Sequence, residues 1–258
     1  MGSVAKVVTG RWDSPFMARL KSFADLAPGD IDALRALIGT EFKVDKRHDL
    51  VVDGYAYNKL SFVKEGFAAR YRLLRNGKRQ IVNVLVPGDI VGLPGSFVDR
   101  ATFSVFALTS MRLELCSFDD FVAAAYRRPK LALALSWLAA QEVTTYAERV
   151  VDIGRRTPLE RVAHFLLEIH ARLVLVGRAT SIGFDLPVSQ EIMSDVLGLS
   201  VPHVNRMLAR LRSDGMIRIA ERRVEFVDAR ALELLAHFQP ATLSRIPSPI
   251  SDTQELSA

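Results

Sequence analysis

The stretch GLSVPHVNRMLARLRSDGMI, residues 198–217, sets His203, Asn205, Arg206, Arg210 and Arg212 among apolar residues spaced three and four apart. On a helix, Val204, Leu208 and Leu211 share an inward face and the polar side chains turn elsewhere. An arginine one turn into such a helix presents two parallel donors, which match O6 and N7 of a guanine in the major groove. His203 and Asn205 can add base or phosphate contacts. Between Arg210 and Arg223 there are five arginines, Arg210, Arg212, Arg218, Arg222 and Arg223, against only Asp214 and Glu221, a balance suited to phosphates. The chemistry implied is recognition of a nucleic acid. Bond-making chemistry finds no support, because the chain has no Gly-rich phosphate loop, no nucleophile elbow and no histidine-rich metal motif.

Such a helix must be held by neighbours. In SQEIMSDVLGLSVPHV, Ser189 can cap one helix, Gly198 stop it and Ser200 cap the next, with Pro202 tolerated because first-turn amides lack intrahelical partners. Two helices across a three-residue turn are a helix-turn-helix. Its predicted DNA-facing set is Ser189, Gln190, Ser200, Val201, Pro202, His203, Asn205, Arg206, Arg210, Arg212, Arg222 and Arg223. Beyond Gly215, MIRI and RRVEFV flank Glu221 as two short strands that would form a basic-tipped wing. Upstream, Thr157, Pro158 and Glu160 form a capping box opening a helix whose apolar face is Val162, Phe165, Leu166 and Ile169.

Leu131 to Ile153 contains no proline and no glycine and reads as one long helix. Leu131, Leu135, Leu138, Val143, Tyr146, Val150 and Ile153 make a heptad-like seam, available for self-association or for packing on the chain's own barrel. Residues 119–127 form a shorter helix, and PGDIDALRALIG another. From Glu41 to Phe118 short β-rich runs alternate with turn signals at 52–54, 64–66, 75–77 and 87–89, the texture of a compact antiparallel barrel or sandwich. Asn76-Gly77 predicts a hairpin with a type I′ turn.

The fold class is therefore α+β: an N-terminal antiparallel barrel or sandwich, a long helix and a C-terminal winged helix-turn-helix. The expected boundaries are a flexible leader at 1–20, the barrel at 21–128, the helix at 129–155, the winged domain at 156–238 and a disordered tail at 239–258. A chain of 258 residues, 49% hydrophobic and 24% charged, is globular, and its formal charge of +5 favours an acidic partner. One cysteine, Cys116, excludes an iron-sulfur cluster or a cysteine-rich zinc site within one chain. Cys116 itself reads as a buried strand residue. The most apolar run, LALALSWLAA, is too short to span a bilayer, so a cytoplasmic protein without membrane association is expected.

SQEIMSDVLGLSVPHVNRMLARLRSDGMI, preceded by a long helix and a barrel carrying VPGDIVGLPGS, resembles the Crp-Fnr superfamily of dimeric bacterial transcription regulators over roughly residues 25–235. The resemblance implies a β-roll effector domain of cyclic-nucleotide-binding type, homodimerisation, a palindromic promoter site in double-stranded DNA and, for an activator, contact with RNA polymerase. It matches Arg206 to the recognition-helix arginine that contacts guanine, whereas Pro202 stands where the best-known members place a base-reading glutamate. The implied effector pocket comprises Gly88, Asp89, Gly92, Leu93, Gly95, Ser96, Arg100 and Thr102. Within it Leu93 occupies the place of the ribose-binding glutamate, and Ala101 that of the phosphate-binding arginine, with Arg100 one position early. Any small ligand in the roll is therefore expected not to be cyclic AMP, and no cofactor is expected. The alternatives are a regulator controlled by abundance alone and, further off, a haem sensor using His48, His164 or His170, or a cupin-like enzyme, for which the barrel region offers only His48. His164 and Glu168, one helical turn apart, read as a surface pair rather than metal ligands.

Overall fold

The structure is a computed structural model that describes residues 14–22, 26–93 and 95–239. Two short helices, α1 (Pro15–Lys21) and α2 (Pro28–Leu37), precede eight strands: β1 (Thr40–Val44), β2 (Asp49–Val51), β3 (Lys59–Glu65), β4 (Ala68–Leu73), β5 (Arg79–Leu85), β6 (Ile90–Val91), β7 (Ser104–Ala107) and β8 (Met111–Ser117). There follow α3 (Phe118–Arg127), α4 (Pro129–Gly154), α5 (Pro158–Leu175), β9 (Gly183–Asp185), α6 (Gln190–Leu197), α7 (Val201–Ser213), β10 (Ile217–Ala220), β11 (Arg223–Phe226) and α8 (Ala229–Ala236).

The strands of the roll form two antiparallel sheets, in the orders β1-β8-β3-β6 and β2-β7-β4-β5. Val51, Val63, Leu85, Val91, Val105 and Leu113, drawn from both, pack into one apolar cluster. Leu60 and Phe62 of the first sheet meet α1 to α4 in a second cluster, and Ile81 and Val84 of the other sheet join a third with α5 to α8. The roll and the winged domain thus share a continuous core.

The β4–β5 hairpin forms where Asn76-Gly77 predicts it, but with a different turn. The Gly77 amide donates to the Leu74 carbonyl at 2.9 Å and the Leu74 amide to the Lys78 carbonyl at 2.8 Å, closing a three-residue loop. Gly77 alone in that loop is left-handed, at φ +79°. Asn76 instead spends its side-chain oxygen on the Lys78 amide, so the type I′ geometry, which needs both residues left-handed, does not arise.

The N-terminal boundary also differs from the sequence expectation. Residues 15–20 do not belong to a flexible leader: they lie in α1, with Phe16, Met17 and Leu20 buried and Phe16 stacked 4.1 Å from Phe62. Apolar burial against β3 fixes the segment despite its short length. The rest of the expected leader, 1–13, and the expected tail beyond 239 lie outside the described residues.

On α4 the predicted seam divides between a face that packs on the roll and one that faces solvent. Leu131 and Leu138 are buried against the roll and Leu135 packs partly against the same cluster. The hydroxyl of Tyr146 accepts from Arg70, whose guanidinium is buried and ion-paired with Glu142. Val143, Val150 and Ile153 do face solvent. The exposed row is Leu133, Ser136, Ala140, Val143, Ala147, Val150 and Gly154, a repeat of three and four, with Val143 65% and Val150 71% exposed. Both faces of α4 carry apolar residues. The roll covers the one with the larger side chains.

A chain of buried charges ties these parts together. Asp89, in the turn after β5, accepts from Arg19 of α1, from Arg172 of α5 and from the Val86 amide at 2.7 Å. Arg172 also donates to Glu168 at 2.8 Å, and Glu168 accepts from Arg149 of α4 at 2.8 Å. Arg149 reaches Asp152 at 3.0 Å, and Arg156 bridges Asp152 and Glu148 at 2.8 and 2.9 Å. Burial alone would raise the pKa of Asp89, but the guanidinium groups of Arg172 and Arg19 and the Val86 amide more than offset it, leaving it below the usual carboxylate range. Asp152 is lowered likewise, against burial, by His164, Arg149 and Arg156. A carboxylate with a depressed native pKa contributes stability that is complete above its unfolded pKa and is lost as pH falls through the native one. Acid should therefore begin to unfold the protein as pH drops below about 4. Asp89→Asn should cost about 3–5 kcal/mol at neutral pH, by leaving buried guanidinium charge unpaired, and should flatten the acid limb of the stability profile. Denaturant titrations of both proteins from neutral to acid pH measure both effects, and an Asp89→Asn protein as stable as the parent would contradict them.

Candidate nucleic-acid interface

The helix-turn-helix follows from local chemistry. The Ser189 hydroxyl accepts from the Ile192 amide at 3.3 Å, opening α6. Gly198 ends it at φ +65°, where a side chain would be strained, and its amide returns to the Ser194 carbonyl. Ser200 occupies the cap position of α7 with extended backbone, but its side chain makes no capping bond, contrary to the sequence expectation. Its carbonyl accepts from Val204 at 3.0 Å. Pro202 in the first turn removes one of the donors that a cap would have to satisfy. Val204, Leu208 and Leu211 are buried, at about 1.5–3 kcal/mol each, which fixes the rotation of α7 about its axis.

That rotation leaves Pro202, Asn205, Arg206, Arg210 and Arg212 exposed, with Val201 and His203 half-buried at the edge. Ser189, Gln190 and Ser200 are exposed beside them, and Arg222 projects from the wing tip. The tip is a two-residue turn between β10 and β11, with Glu221 left-handed at φ +54°. β9 completes the wing sheet, in the order β10-β11-β9.

The arginines divide into two groups. Arg206, Arg212 and Arg222 pair with no carboxylate among the described residues. Arg210 lies 3.6 Å from Asp214, Arg218 3.4 Å from Glu225, and Arg223 3.3 Å from Asp185 and 3.4 Å from Glu225. Glu225 and Asp185 lie outside the stretch where the sequence balance was struck. Arg223 in particular is half-buried and engaged within the wing sheet, so of the predicted set it is the least available.

The sequence reading missed the side chains that hold α6. Arg79, beside the loop of the β4–β5 hairpin, donates through Nε to Asp195 at 2.8 Å, and Gln80 donates to the carbonyls of Asp195 and Val196 at 2.8 and 3.3 Å. No local motif marks such contacts, since the partners are more than a hundred residues apart.

Of the eight residues expected to line an effector pocket, Asp89 and Leu93 border one small cavity, Gly92 and Ser96 meet in one turn, and Arg100 and Thr102 are exposed. Asp89 is consumed by its two arginines, and Gly88, at φ +92°, sits against Val176 and the Pro15 carbonyl. Leu93 is buried in the cluster with α1 and α4. At Gly92, φ +113°, an added Cβ would collide with the Lys59 carbonyl oxygen. Gly95 and Ser96 lie in a short 3-10 turn, where the Ser96 hydroxyl donates to Lys59. Arg100 is exposed and donates to the Gly54 carbonyl at 2.9 Å, Ala101 is buried, and Thr102 is exposed. What does open beside Asp89 is a cavity of about 30 Å³ lined by Arg19, Asn83, Asp89, Glu142, Thr145 and Arg172, among others, room for one or two waters.

The remaining candidates are accounted for similarly. Cys116 is buried, and burial pushes its thiol up to about 11, a poor nucleophile. His164 and Glu168 are buried rather than a surface pair. The Nε2 of His164 lies 3.4 Å from Glu148, and Nδ1 lies 3.2 Å from Asp152 but off the line of a hydrogen bond. His170 meets the Thr180 carbonyl at 2.8 Å and packs edge-on against Phe226, while His48 is exposed at the turn before β2. No helix among the described residues is long and apolar enough to cross a membrane.

Comparison with known proteins agrees with this geometry. A Crp-like helix-turn-helix domain family matches residues 160–235, and a cyclic nucleotide-binding domain family matches residues 41–124. The nitrogen fixation regulation protein FixK of Bradyrhizobium diazoefficiens is 33% identical over 177 residues, covering 67% of this chain and 72% of that protein. The transcriptional activator protein FnrL of Cereibacter sphaeroides is 31% identical over 186 residues, 68% of this chain and 73% of its own. The solved structure of FixK2 from Bradyrhizobium japonicum superimposes with a TM-score of 0.70 at 28% identity, over 76% of this chain and 96% of that one. With its β-roll, its long helix and a winged helix-turn-helix presenting Arg206 outward, the chain belongs to the Crp-Fnr family of transcription regulators, which are DNA-binding proteins and not enzymes.

Proposed function

We propose that the protein acts in the cytoplasm as a homodimer that pairs along the exposed face of α4 and reads a pseudo-palindromic promoter with two copies of α7, about 34 Å apart, one turn of DNA. The observation that carries this reading is the outward, unpaired guanidinium of Arg206 on a helix whose other face is locked by Val204, Leu208 and Leu211. The alternating Val143, Ala147 and Val150 support the dimer, since a solvent-facing seam of this period costs a lone chain apolar exposure that a second copy would remove. Arg206 would read a guanine, with His203, Asn205 and Val201 addressing neighbouring bases. Arg212 and Arg222, with Ser189, Gln190 and Ser200, would hold the phosphates. The relatives named as activators favour activation, with RNA polymerase as the further partner.

The roll reads as a domain that does not take cyclic AMP. Leu93 and Ala101, which the resemblance matches to the ribose-binding glutamate and the phosphate-binding arginine, are apolar and buried, and Arg100 is turned to the Gly54 carbonyl. The apolar filling of the roll favours, as a second reading, control by abundance without a small ligand.

Arg206→Ala should weaken binding by about 1–3 kcal/mol and relax the preference at one base pair per half-site. Arg222→Ala should weaken binding to matched and mismatched duplexes alike and lower the salt slope by about 1. Affinities of both variants on matched and mismatched duplexes over a salt series test the assignment, and equal sequence-independent losses would remove Arg206 from base reading. Separately, titrating cyclic AMP into the protein in a calorimeter should give no binding at micromolar concentrations and no change in DNA affinity; measurable micromolar binding would overturn this reading of the roll.

A further inference from the structure

At the joint between α4 and the winged domain, beside the Arg149–Glu168 pair, one side chain bonds three backbone carbonyls. Arg161, in the first turn of α5, donates through Nε to the Arg156 carbonyl at 2.9 Å, through Nη2 to the Ile153 carbonyl at 2.9 Å and through Nη1 to the Leu197 carbonyl at 3.2 Å. Ile153 lies in the last turn of α4 and Leu197 is the final residue of α6. Both are helix C-termini, whose carbonyls lack intrahelical partners and carry the negative end of the helix dipole. A planar cation with several fixed donors can serve both ends at once. The neighbouring Arg156 is itself bonded to Glu148 and Asp152, so the linker is pinned back onto α4. At α6, Gln80 takes the two carbonyls before Leu197. The end of the first helix of the helix-turn-helix is therefore held from the roll by Gln80 and from α5 by Arg161, which also holds the end of α4.

We propose that Arg161 is the positioning residue that sets the half-site spacing the dimer accepts. The inference rests on the dimeric reading above. Two recognition helices engage DNA together only if their separation and rotation match the two half-sites, and one base pair of spacer changes the separation by about 3.4 Å and turns the half-site around the axis. The angle between α4, which carries the dimer seam, and α6, which carries α7, fixes that separation. Arg161 is the side chain bonded to both. Among the described residues its hydrogen bonds go to the Arg156, Ile153 and Leu197 carbonyls and to neither α7 nor the wing tip, so it acts on geometry and not on base contacts.

The test uses the full-length protein and its Arg161→Gln variant, measured on duplexes with a single half-site and on palindromes with the preferred spacer or one shortened or lengthened by one or two base pairs. The parent should bind its preferred palindrome about 100-fold tighter than the single half-site, the gain expected of simultaneous engagement, and lose most of that gain at other spacings. Arg161→Gln should keep the single half-site affinity and the dimer mass while its preference among spacings falls about tenfold. A variant with the parent's spacing profile would overturn the proposal, as would one that loses single half-site affinity in parallel with an unchanged profile. Should Arg161→Gln fail to fold, Arg161→Lys decides: one ammonium cannot serve three diverging carbonyls, so the flattened profile is expected again and an unchanged one refutes the role. A parent protein indifferent to a second half-site would sink the dimeric reading itself, and with it the role of Arg161, whatever the variant did.

Discussion

Asp89 sits where three parts of the molecule meet, and its two arginines come from either side of it in the chain, from α1 and from α5. An isolated carboxylate in that position would be expelled or protonated. With Arg19 and Arg172 on it, the charge stays, and each arginine in turn obliges its own helix to remain. Arg172 extends the obligation to Glu168, and Arg149 and Asp152 carry it onto α4. Four acids and four bases along this path, with Arg156 and Glu148 at its far end, balance one another, and withdrawing Asp89 would leave Arg19 without its carboxylate in a buried place. Hydrophobic burial supplies the bulk of the stability. The charges select which packing of roll, long helix and winged domain is the allowed one.

This division explains what could be read directly from the residues. Ser189, Gly198, Thr157 and Glu160 act on amides and carbonyls within four positions of themselves, so the helix-turn-helix and the start of α5 were legible, and so were the strands and hairpin of the roll. The face of α4 was not. A period of three and four identifies apolar stripes but does not say which of two the rest of the chain will cover, and the larger leucines went inward with Trp137. Asp89 was equally opaque: its motif suggested a ligand pocket, whereas its partners lie 70 and 83 positions away. The burial of Phe16 and Met17 likewise depends on β3, which no window around α1 contains.

The recognition surface shows the same contrast at smaller scale. Counting charges along the sequence treats every arginine as equal, yet the folded wing spends Arg218 and Arg223 on Glu225 and leaves Arg222 at the tip. Internal pairing of this kind orders the wing sheet while concentrating the available positive charge on α7 and one turn. The balance between ordering the wing and holding DNA is struck by Glu225 on β11 with Asp185 on β9.

The valines on the outer row of α4 carry one more implication. Hydrocarbon left wet raises the free energy of a solitary folded chain, and whatever covers it lowers that free energy by an amount that grows with the supply of the covering molecule. When the cover is another copy, melting temperature becomes a function of how much protein is present. Synthesis and turnover would then tune folding and promoter occupancy through one and the same variable.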